Sequence, residues 1–231
     1  QLIALTSVSK RIFFYFLIMR SLLLILSIIF LVVACKSKSG KKEEELIVPT
    51  ISAADSLLLK QQKDSTLLSL TKDVLTVIKN KKYDSLALFI HPDVGVRFSP
   101  NAYIDTAVDK IFTIETFKKD ATAKKQQKFT WGEYDGSGDP INLTIDEYFK
   151  RFVYDVDFLT PETRKVNEFI GGSNSQNNLL AVYDSCDFTE SHFSRFDKKF
   201  DGMDWRSIRL VFKIKDGKYF LVGVIHDEWT I

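Results

Sequence analysis

The sequence predicts an α+β domain in which N-terminal helices pack on a curved, mainly antiparallel sheet. Residues 65–78 repeat apolar side chains every three or four positions, which is typical of an amphipathic helix. Residues 208–214 alternate apolar side chains with Arg209 and Lys213, which predicts a half-buried strand with its charges on the solvent side. Asp216-Gly217 then predicts a hairpin turn, and residues 219–225, apolar on both faces, a central strand. Helices followed by strands indicate the α+β class.

Two further helical segments are predicted at the N-terminal end of this domain. Residues 52–62 also have a helical pattern, and the polar run 79–82 follows the amphipathic helix. Apolar positions between Tyr83 and Ile90 predict a second, short helix, which His91-Pro92 ends because a residue before proline disfavours helical geometry.

The middle of the chain predicts short elements separated by turns. Short strands are expected at 95–98, 110–114 and 129–133, with Thr113 capping a short helix toward Lys119. The glycine-rich run 135–140 predicts a turn, and Thr144 with Glu147 forms a capping box for a helix through Tyr148 and Phe152. Residues 171–178 are expected to be a polar loop.

Three of these segments together resemble the NTF2-like superfamily. They are the opening helix, the short helix Lys82-Tyr83-Asp84-Ser85-Leu86 that ends in Ile90-His91-Pro92, and the terminal hairpin at 216–222. The resemblance covers about residues 65–231 and implies a cone in which the curved sheet wraps the helices around a cavity. Members include enzymes and binding modules, so that the fold does not choose a function. Residues 131–157 depart from a minimal version and leave the strand order open.

The N-terminal region resembles the signal peptide of a bacterial lipoprotein. Arg20 precedes an apolar stretch that ends in Val32-Val33-Ala34-Cys35, which is similar to a lipobox. The resemblance implies cleavage between Ala34 and Cys35 and lipid on the Cys35 thiol. We therefore expect upstream read-through at 1–18, a signal peptide at 19–34, a lipid anchor and flexible linker at 35–51, and one globular domain at 52–231.

A transmembrane anchor is the alternative interpretation of this leader. The uninterrupted apolar run from Ser21 to Ala34 has 14 residues, short of the roughly 20 that cross a bilayer. Extending it upstream places Arg20 at bilayer depth, which costs about 3 kcal/mol. The lipoprotein interpretation predicts a cell-envelope protein held outside the cytoplasm, on the outer membrane and exposed at the cell surface if Lys42-Glu43-Glu44 is an export tag.

Charge and cysteine content argue against a nucleic-acid partner and against an internal disulfide. Of the 32 basic side chains three lie in residues 1–34, which contain no acid, so residues 35–231 carry 29 basic and 30 acidic side chains, a net charge of −1. Such a domain has no electrostatic basis for binding nucleic acid. Cys35 and Cys186 are the two cysteines, and lipidation of Cys35 would leave Cys186 without a disulfide partner, as a small core residue.

The sequence contains no motif that specifies a metal or a cofactor. It has no His-x-His or His-Glu-x-x-His spacing, no glycine-rich phosphate loop and no dinucleotide fingerprint. The run 135–139 has alternating carboxylates like a calcium loop, but turn formation explains it more simply. We therefore predict no metal and no cofactor.

His226 and Asp227 are the residues most suited to catalysis in the sequence. They follow the predicted central strand, where a cavity mouth is expected, and a histidine beside a carboxylate can act as a general base. Tyr103 or Tyr148 would complete such a site in a hydrolase, lyase or isomerase. His91 is instead expected to cap a helix end, and His192 to lie at the surface.

The leading functional hypothesis is nevertheless a membrane-tethered module that binds an unknown small molecule or an envelope protein. It follows from the anchor and from the lack of recognisable catalytic spacing. The enzyme is the alternative, and a structural accessory of a larger envelope complex is the third possibility. Aromatic residues at 131–154 are expected to form core, although surplus rings could also line a ligand pocket.

Overall fold

A long helix begins the described part of the chain. The computed structural model describes residues 52–172 and 176–230. Helix α1 (Ala53–Lys79) begins at Ser52, whose side-chain oxygen accepts a hydrogen bond from the Asp55 amide. The two helical segments predicted here are one continuous helix. Its buried positions begin at Leu67, because the apolar stripe that packs on the sheet begins there.

Shorter helices and eight strands follow in the described residues, and the strands at 140–143 and 163–166 and the helix at 179–182 were not predicted. The predicted capping box at Thr144 is present, and the predicted cap Thr113 forms a capping box with Thr116. The helices are α2 (Tyr83–Leu86), α3 (Ile114–Ala121), α4 (Ile145–Tyr148), which continues as a π-helix (Phe149–Val153), α5 (Leu179–Val182) and a 3₁₀ turn (Lys198–Phe200). The strands are β1 (Val96–Ser99), β2 (Lys110–Phe112), β3 (Phe129–Glu133), β4 (Pro140–Leu143), β5 (Thr163–Val166), β6 (Asp187–Phe193), β7 (Arg206–Lys215) and β8 (Lys218–Glu228).

Six of the strands form one mainly antiparallel sheet, which confirms the predicted α+β class. Their order is β2-β1-β8-β7-β6-β5, and only β1 and β8 pair in parallel within it. The hairpin of β7 and β8 is at the centre, and its turn residues Asp216 and Gly217 both have left-handed backbone angles. Strands β3 and β4 form a separate two-stranded sheet.

The large sheet is covered on both faces. Leu210, Phe212 and Val224 belong to the main core with α1, whose Thr71 hydroxyl is 2.7 Å from the hydroxyl of Thr189 on β6. We call this the inner face. On the outer face a second apolar cluster joins strand residues to the loop segments around Ile104 and Leu179. Because both faces are covered, β7 is buried on both sides, and its prediction as a half-buried strand was wrong.

Aromatic side chains fill the space between the inner face and the helices. Phe98 on β1 contacts the rings of Phe112, Phe117, Trp131, Tyr148 and Phe149. Trp131 and Tyr148 stack with their ring centroids 3.8 Å apart, and both are fully buried. The expectation that most aromatics of residues 131–154 are core is therefore confirmed.

The predicted leader lies outside the described residues. This applies to the segment 1–34, to the cleavage site at Ala34 and Cys35, and to the linker 35–51. Within the residues that the structure describes, no helix combines the length and the hydropathy needed to cross a membrane.

Candidate functional site

A cleft of about 440 Å³ opens between the β1–β2 loop and the β3–β4 hairpin. Its walls come from residues 101–109 on one side and from residues 132–138 on the other. Its lining includes four carboxylate side chains and two tyrosines. We call it the acidic cleft, and these six residues are Asp105, Asp109, Glu133, Asp135, Tyr103 and Tyr134.

Asp109 is the most buried of these carboxylates, since only 8% of the residue is exposed. Its Oδ2 accepts hydrogen bonds from the Ser99 hydroxyl at 2.5 Å and from the Asp105 amide at 3.0 Å. No residue in the described ranges donates a hydrogen bond to its Oδ1. Burial raises the pKa of Asp109 to about 7, against the opposing effects of the Ser99 hydrogen bond and the Arg97 charge.

Gly132 keeps the space beside the free oxygen of Asp109 open. The backbone of Gly132 has a φ of +133°, which side chains rarely adopt. A Cβ atom at this position would lie 3.4 Å from Asp109 Oδ1 and 3.2 Å from Pro100 Cγ. Because Gly132 also lines the acidic cleft, Oδ1 lies beside the cleft wall where a ligand would approach.

The remaining carboxylates differ in how far the protein already engages them. Asp105 Oδ1 accepts hydrogen bonds from the amides of Ala107 and Val108, which shapes the loop. Asp135 Oδ1 accepts from the Gly136 amide, and its Oδ2 accepts from the Thr230 hydroxyl at 2.5 Å. Those contacts are turn and tail contacts within the protein.

The two predicted tyrosines lie on different sides of the cleft wall. Tyr103 lines the cleft with 50% of its surface exposed. Tyr148 is behind the wall, in the aromatic core, and no described residue hydrogen-bonds its buried hydroxyl. Burial, and then the nearby charge of Asp109, raise the pKa of this hydroxyl well above its usual value, so Tyr148 stays protonated.

His226 and Asp227 are not brought together, because neighbouring residues of a strand point to opposite faces. His226 is fully buried on the inner face, where its ring meets the Phe152 ring edge-on at 5.6 Å. It is therefore not at a cavity mouth. Its Nε2 is 3.5 Å from Asp155 Oδ2, and neither ring nitrogen has a hydrogen-bond partner among the described residues.

Asp155, His226 and Glu228 could be considered as metal ligands, since their donor atoms lie within 4.8 Å of one another. The carboxylates, however, are already paired with two arginines. Arg206 Nε is 3.0 Å from Asp155 Oδ2 and 3.1 Å from Glu228 Oε2, and Arg151 Nη2 is 2.5 Å from Glu228 Oε1. A divalent ion here would add two positive charges beside two guanidinium groups. The arrangement fits an ion-paired structural cluster better than a metal site.

Asp227 belongs to an ion cluster on the outer face, which we define as Glu190, Arg209 and Asp227. Arg209 is fully buried and donates from Nε to Glu190 Oε2 at 2.9 Å and from Nη2 to Asp227 Oδ2 at 2.7 Å. Burial raises the pKa of Asp227, against the charge of Arg209. The prediction that Arg209 faces solvent was wrong, because Arg209 is fully buried and its guanidinium carbon lies 5.3 Å from the centroid of the Phe169 ring.

His192 and His91 are also more buried than the sequence indicated. His192 was expected at the surface, but its Nδ1 is 2.8 Å from the Ser207 hydroxyl in the covered outer face. Ser207 gives its one hydroxyl proton to Glu190 Oε1 at 2.6 Å, so His192 is not placed to act as its base. His91 caps a turn rather than a helix, since its Nδ1 accepts from the amides of Asp93 and Val94.

A second cleft, of about 140 Å³, is lined by the lysines 79, 81 and 150 near Tyr83. Two of these lysines already have partners: Lys79 is 2.8 Å from Asp157, and Lys81 is 3.1 Å from Asp146. The acidic cleft is larger, and three of its carboxylates, Asp105, Asp109 and Glu133, have oxygens that accept no hydrogen bond from the described residues. It is therefore the better candidate for a ligand site.

Comparisons with known proteins leave the family of this chain open. No protein-family model and no curated protein matches it. Among solved structures, it is similar to a putative calcium/calmodulin dependent protein kinase II association domain from Xanthomonas campestris, with 12% identity over 84% of this chain and 97% of that chain. The TM-score is 0.26, so this likeness supports no conclusion about fold or function.

Proposed function

We propose that this protein is a lipid-anchored binding module of the cell envelope and that the acidic cleft is its ligand site. The observation that carries the proposal is the cleft itself, with the Asp109 Oδ1 beside its wall and unengaged by described residues. Small-molecule sites are concave and contain a few well-placed polar groups among apolar and aromatic side chains. A cleft of about 440 Å³ is of the size such sites have, whereas a protein partner needs a broader surface.

The envelope location is proposed from the leader sequence. The apolar run that ends in Val32-Val33-Ala34-Cys35 supports cleavage before Cys35 and attachment of lipid to its thiol. Two or more acyl chains hold a protein stably on a membrane. Mass spectrometry of the mature protein should find a lipidated Cys35 at the N-terminus. Replacement of Cys35 by Ser should release the domain from membranes, and unchanged membrane attachment would contradict the anchor.

The NTF2-like cone is proposed as the finer description of the fold. Its support is the order of elements along the chain. Helices α1 and α2 come first, and the long β7–β8 hairpin, which forms the centre of the sheet, comes last. In this chain the aromatic pair Trp131 and Tyr148 occupies the interior, so the ligand site that we propose lies to one side of that core. An experimental structure would test both statements.

The binding proposal can be tested by blocking the cleft without disturbing the core. Val108 lines the cleft and is 40% exposed, so that Val108→Trp should fill it while the fold is retained. Val94→Trp is the matched control, because Val94 is also exposed and lies at the opposite end of β1. A small-molecule library should give hits by thermal shift that the Val108→Trp variant loses and the Val94→Trp variant keeps. Hits that both variants keep would overturn the proposal.

An enzyme acting in the same cleft is the second candidate. One observation favours it: Asp109, with a pKa of about 7, could exchange a proton at neutral pH with a ligand near Tyr103. This assignment replaces His226 and Asp227, which lie on opposite faces of β8. Incubation of each library hit with the protein, followed by mass spectrometry, separates the two functions. Unchanged hits support binding, whereas conversion that Asp109→Asn abolishes would support the enzyme.

A further inference from the structure

We propose that the ligand of the acidic cleft is an organic cation, of the class of aliphatic amines. This inference rests on the function proposed above and names the chemistry that the cleft recognises. The cleft presents carboxylates on both walls, Asp105 and Asp109 from the β1–β2 loop and Glu133 and Asp135 from the hairpin. None of the described residues that line it is Lys, Arg or His, and Arg97, whose charge acts on Asp109, lies outside the lining.

Asp109 is what distinguishes the cleft from an ordinary acidic surface. The residue is more than nine-tenths buried, its Oδ2 accepts two hydrogen bonds, and its Oδ1 accepts none from the described residues. An ammonium group placed against Oδ1 would supply a charge-assisted hydrogen bond. The carboxylate of Glu133 likewise receives no hydrogen bond from the described residues and is available on the other wall.

The aromatic lining also fits an organic cation. Tyr103 and Tyr134 both line the cleft, and 50% of the Tyr103 surface and 39% of the Tyr134 surface are exposed. Exposed tyrosine faces attract ammonium groups and pack against the methylene groups that connect them. An aliphatic amine offers both, whereas an inorganic ion offers only the charge.

The spacing of the carboxylates argues against a metal ion. Across residues 52–172 and 176–230, the only trio of His, Cys, Asp or Glu with ligand atoms within 4.8 Å of one another is Asp155, His226 and Glu228, which lies outside the acidic cleft. No three of the cleft carboxylates therefore lie close enough together to coordinate one ion. A ligand with extended or separated charges can reach them.

Binding of putrescine and spermidine by isothermal titration calorimetry at pH 8 tests the inference. The neutral isostere 1,4-butanediol and Ca²⁺ at matched ionic strength are the comparison ligands. The isosteric variant Asp109→Asn should lower amine affinity about ten- to hundredfold, the effect of losing a hydrogen bond to a charged group. The control Asp84→Asn removes an exposed carboxylate on α2, far from the cleft lining, and should leave the affinity unchanged.

Each outcome decides either the claim about the ligand class or the claim that the cleft is a ligand site. Amine binding that depends on Asp109, with no binding of the diol, supports the inference. Equal binding of amine and diol, equal affinity in Asp109→Asn, or Ca²⁺ displacing the amine would overturn it. If no amine binds but Val108→Trp loses other library hits, the ligand class is wrong and the cleft remains a site. If Asp109→Asn does not fold, Glu133→Gln serves as the variant, and unchanged affinity there overturns the inference.

Discussion

The ion cluster and the acidic cleft both contain carboxylates, but only in the first does the protein pair them with a cation. Arg209 bridges Glu190 and Asp227, and the amides of Ile170 and Gly171 also donate to Glu190. In the acidic cleft Asp109 has hydrogen bonds on one oxygen and an open cleft beside the other. The carboxylates of the ion cluster are paired, although Arg209 Nη1 has no hydrogen-bond partner among the described residues. Carboxylates that a cation of the protein pairs indicate a structural role, whereas carboxylates at a cleft without such a partner indicate a ligand site.

The largest effect is expected from removing the cation of the ion cluster. Arg209→Met leaves Glu190 and Asp227 buried without their partner, which should lower the free energy of unfolding by about 3–5 kcal/mol. The control Arg195→Met changes an exposed arginine in the β6–β7 loop and should leave the free energy of unfolding almost unchanged. Urea denaturation measures both. A loss below about 1 kcal/mol in Arg209→Met would show that the cluster does not depend on its charge pairing.

Charge can be separated from shape in the same cluster. Adding Glu190→Gln and Asp227→Asn to Arg209→Met removes the uncompensated charges while nearly keeping the volumes. We expect this triple variant to regain part of the stability that Arg209→Met loses. A triple variant that is less stable than the single one would assign the effect to packing instead.

Asp109→Asn should increase stability by an amount that depends on pH. The folded pKa of Asp109 is about 7, above its usual value of 3.8, so that between these values the folded state holds a proton that the unfolded state has lost. Stability from this group is complete below pH 3.8 and is lost as the pH rises through 7. Because Asn does not ionise, the variant should gain on the order of 2–4 kcal/mol relative to wild type between pH 4 and pH 8.

Denaturation of the wild type and Asp109→Asn across this pH range provides the measurement. The difference between their free energies of unfolding should change most between pH 4 and pH 7. A difference that does not vary with pH would contradict the elevated pKa and, with it, the view that Asp109 is poorly compensated.

Substitution of Gly171 tests how tightly the loop that contains Ile170 and Gly171 packs over the ion cluster. A Cβ atom there would lie 2.8 Å from Ser207 Oγ, 2.9 Å from Trp205 Cζ3 and 3.2 Å from Glu190 Oε1. Gly171→Ala should therefore destabilise by about 1–3 kcal/mol. Gly172→Ala is a control in the adjacent position, since a Cβ there meets nothing within 4 Å. Equal stabilities of the two variants, measured by thermal denaturation, would mean that the loop does not pack as described.

A surface ion pair should give the smallest effect. Lys79 and Asp157 are 2.8 Å apart, with side chains 44% and 47% exposed. Lys79→Ala should cost no more than about 0.5 kcal/mol in urea denaturation, because water screens an exposed pair. A cost comparable to that of Arg209→Met would remove the distinction between buried and exposed pairs on which the comparison depends.

The sequence predicted most of the fold because local patterns specify most of its elements. The capping residues Thr113 and Thr144, the turn at Asp216-Gly217 and the apolar stripe of α1 act within a few residues of themselves. Burial on the outer face could not be predicted in this way. Arg209 packs against the Phe169 ring, and the Gly171 amide donates to Glu190 beside it. A strand pattern does not show which distant segment packs over it.

The candidate site was predicted only in part, through Tyr103. Its key carboxylate, Asp109, stands in a loop whose sequence has no motif, and its burial comes from Ser99, Arg97 and the distant hairpin at Gly132. The adjacency of His226 and Asp227 suggested a dyad. Strand geometry separates them, which a prediction of β8 extended to residue 228 would have shown.

Carbon-13 NMR of the Asp109 side-chain carboxyl tests the central claim most directly. The resonance should titrate with a pKa near 7 in the free protein and shift to a lower pKa when putrescine is added, because a bound cation favours the ionised form. A pKa near 4 for Asp109, or one that putrescine does not change, would contradict the account.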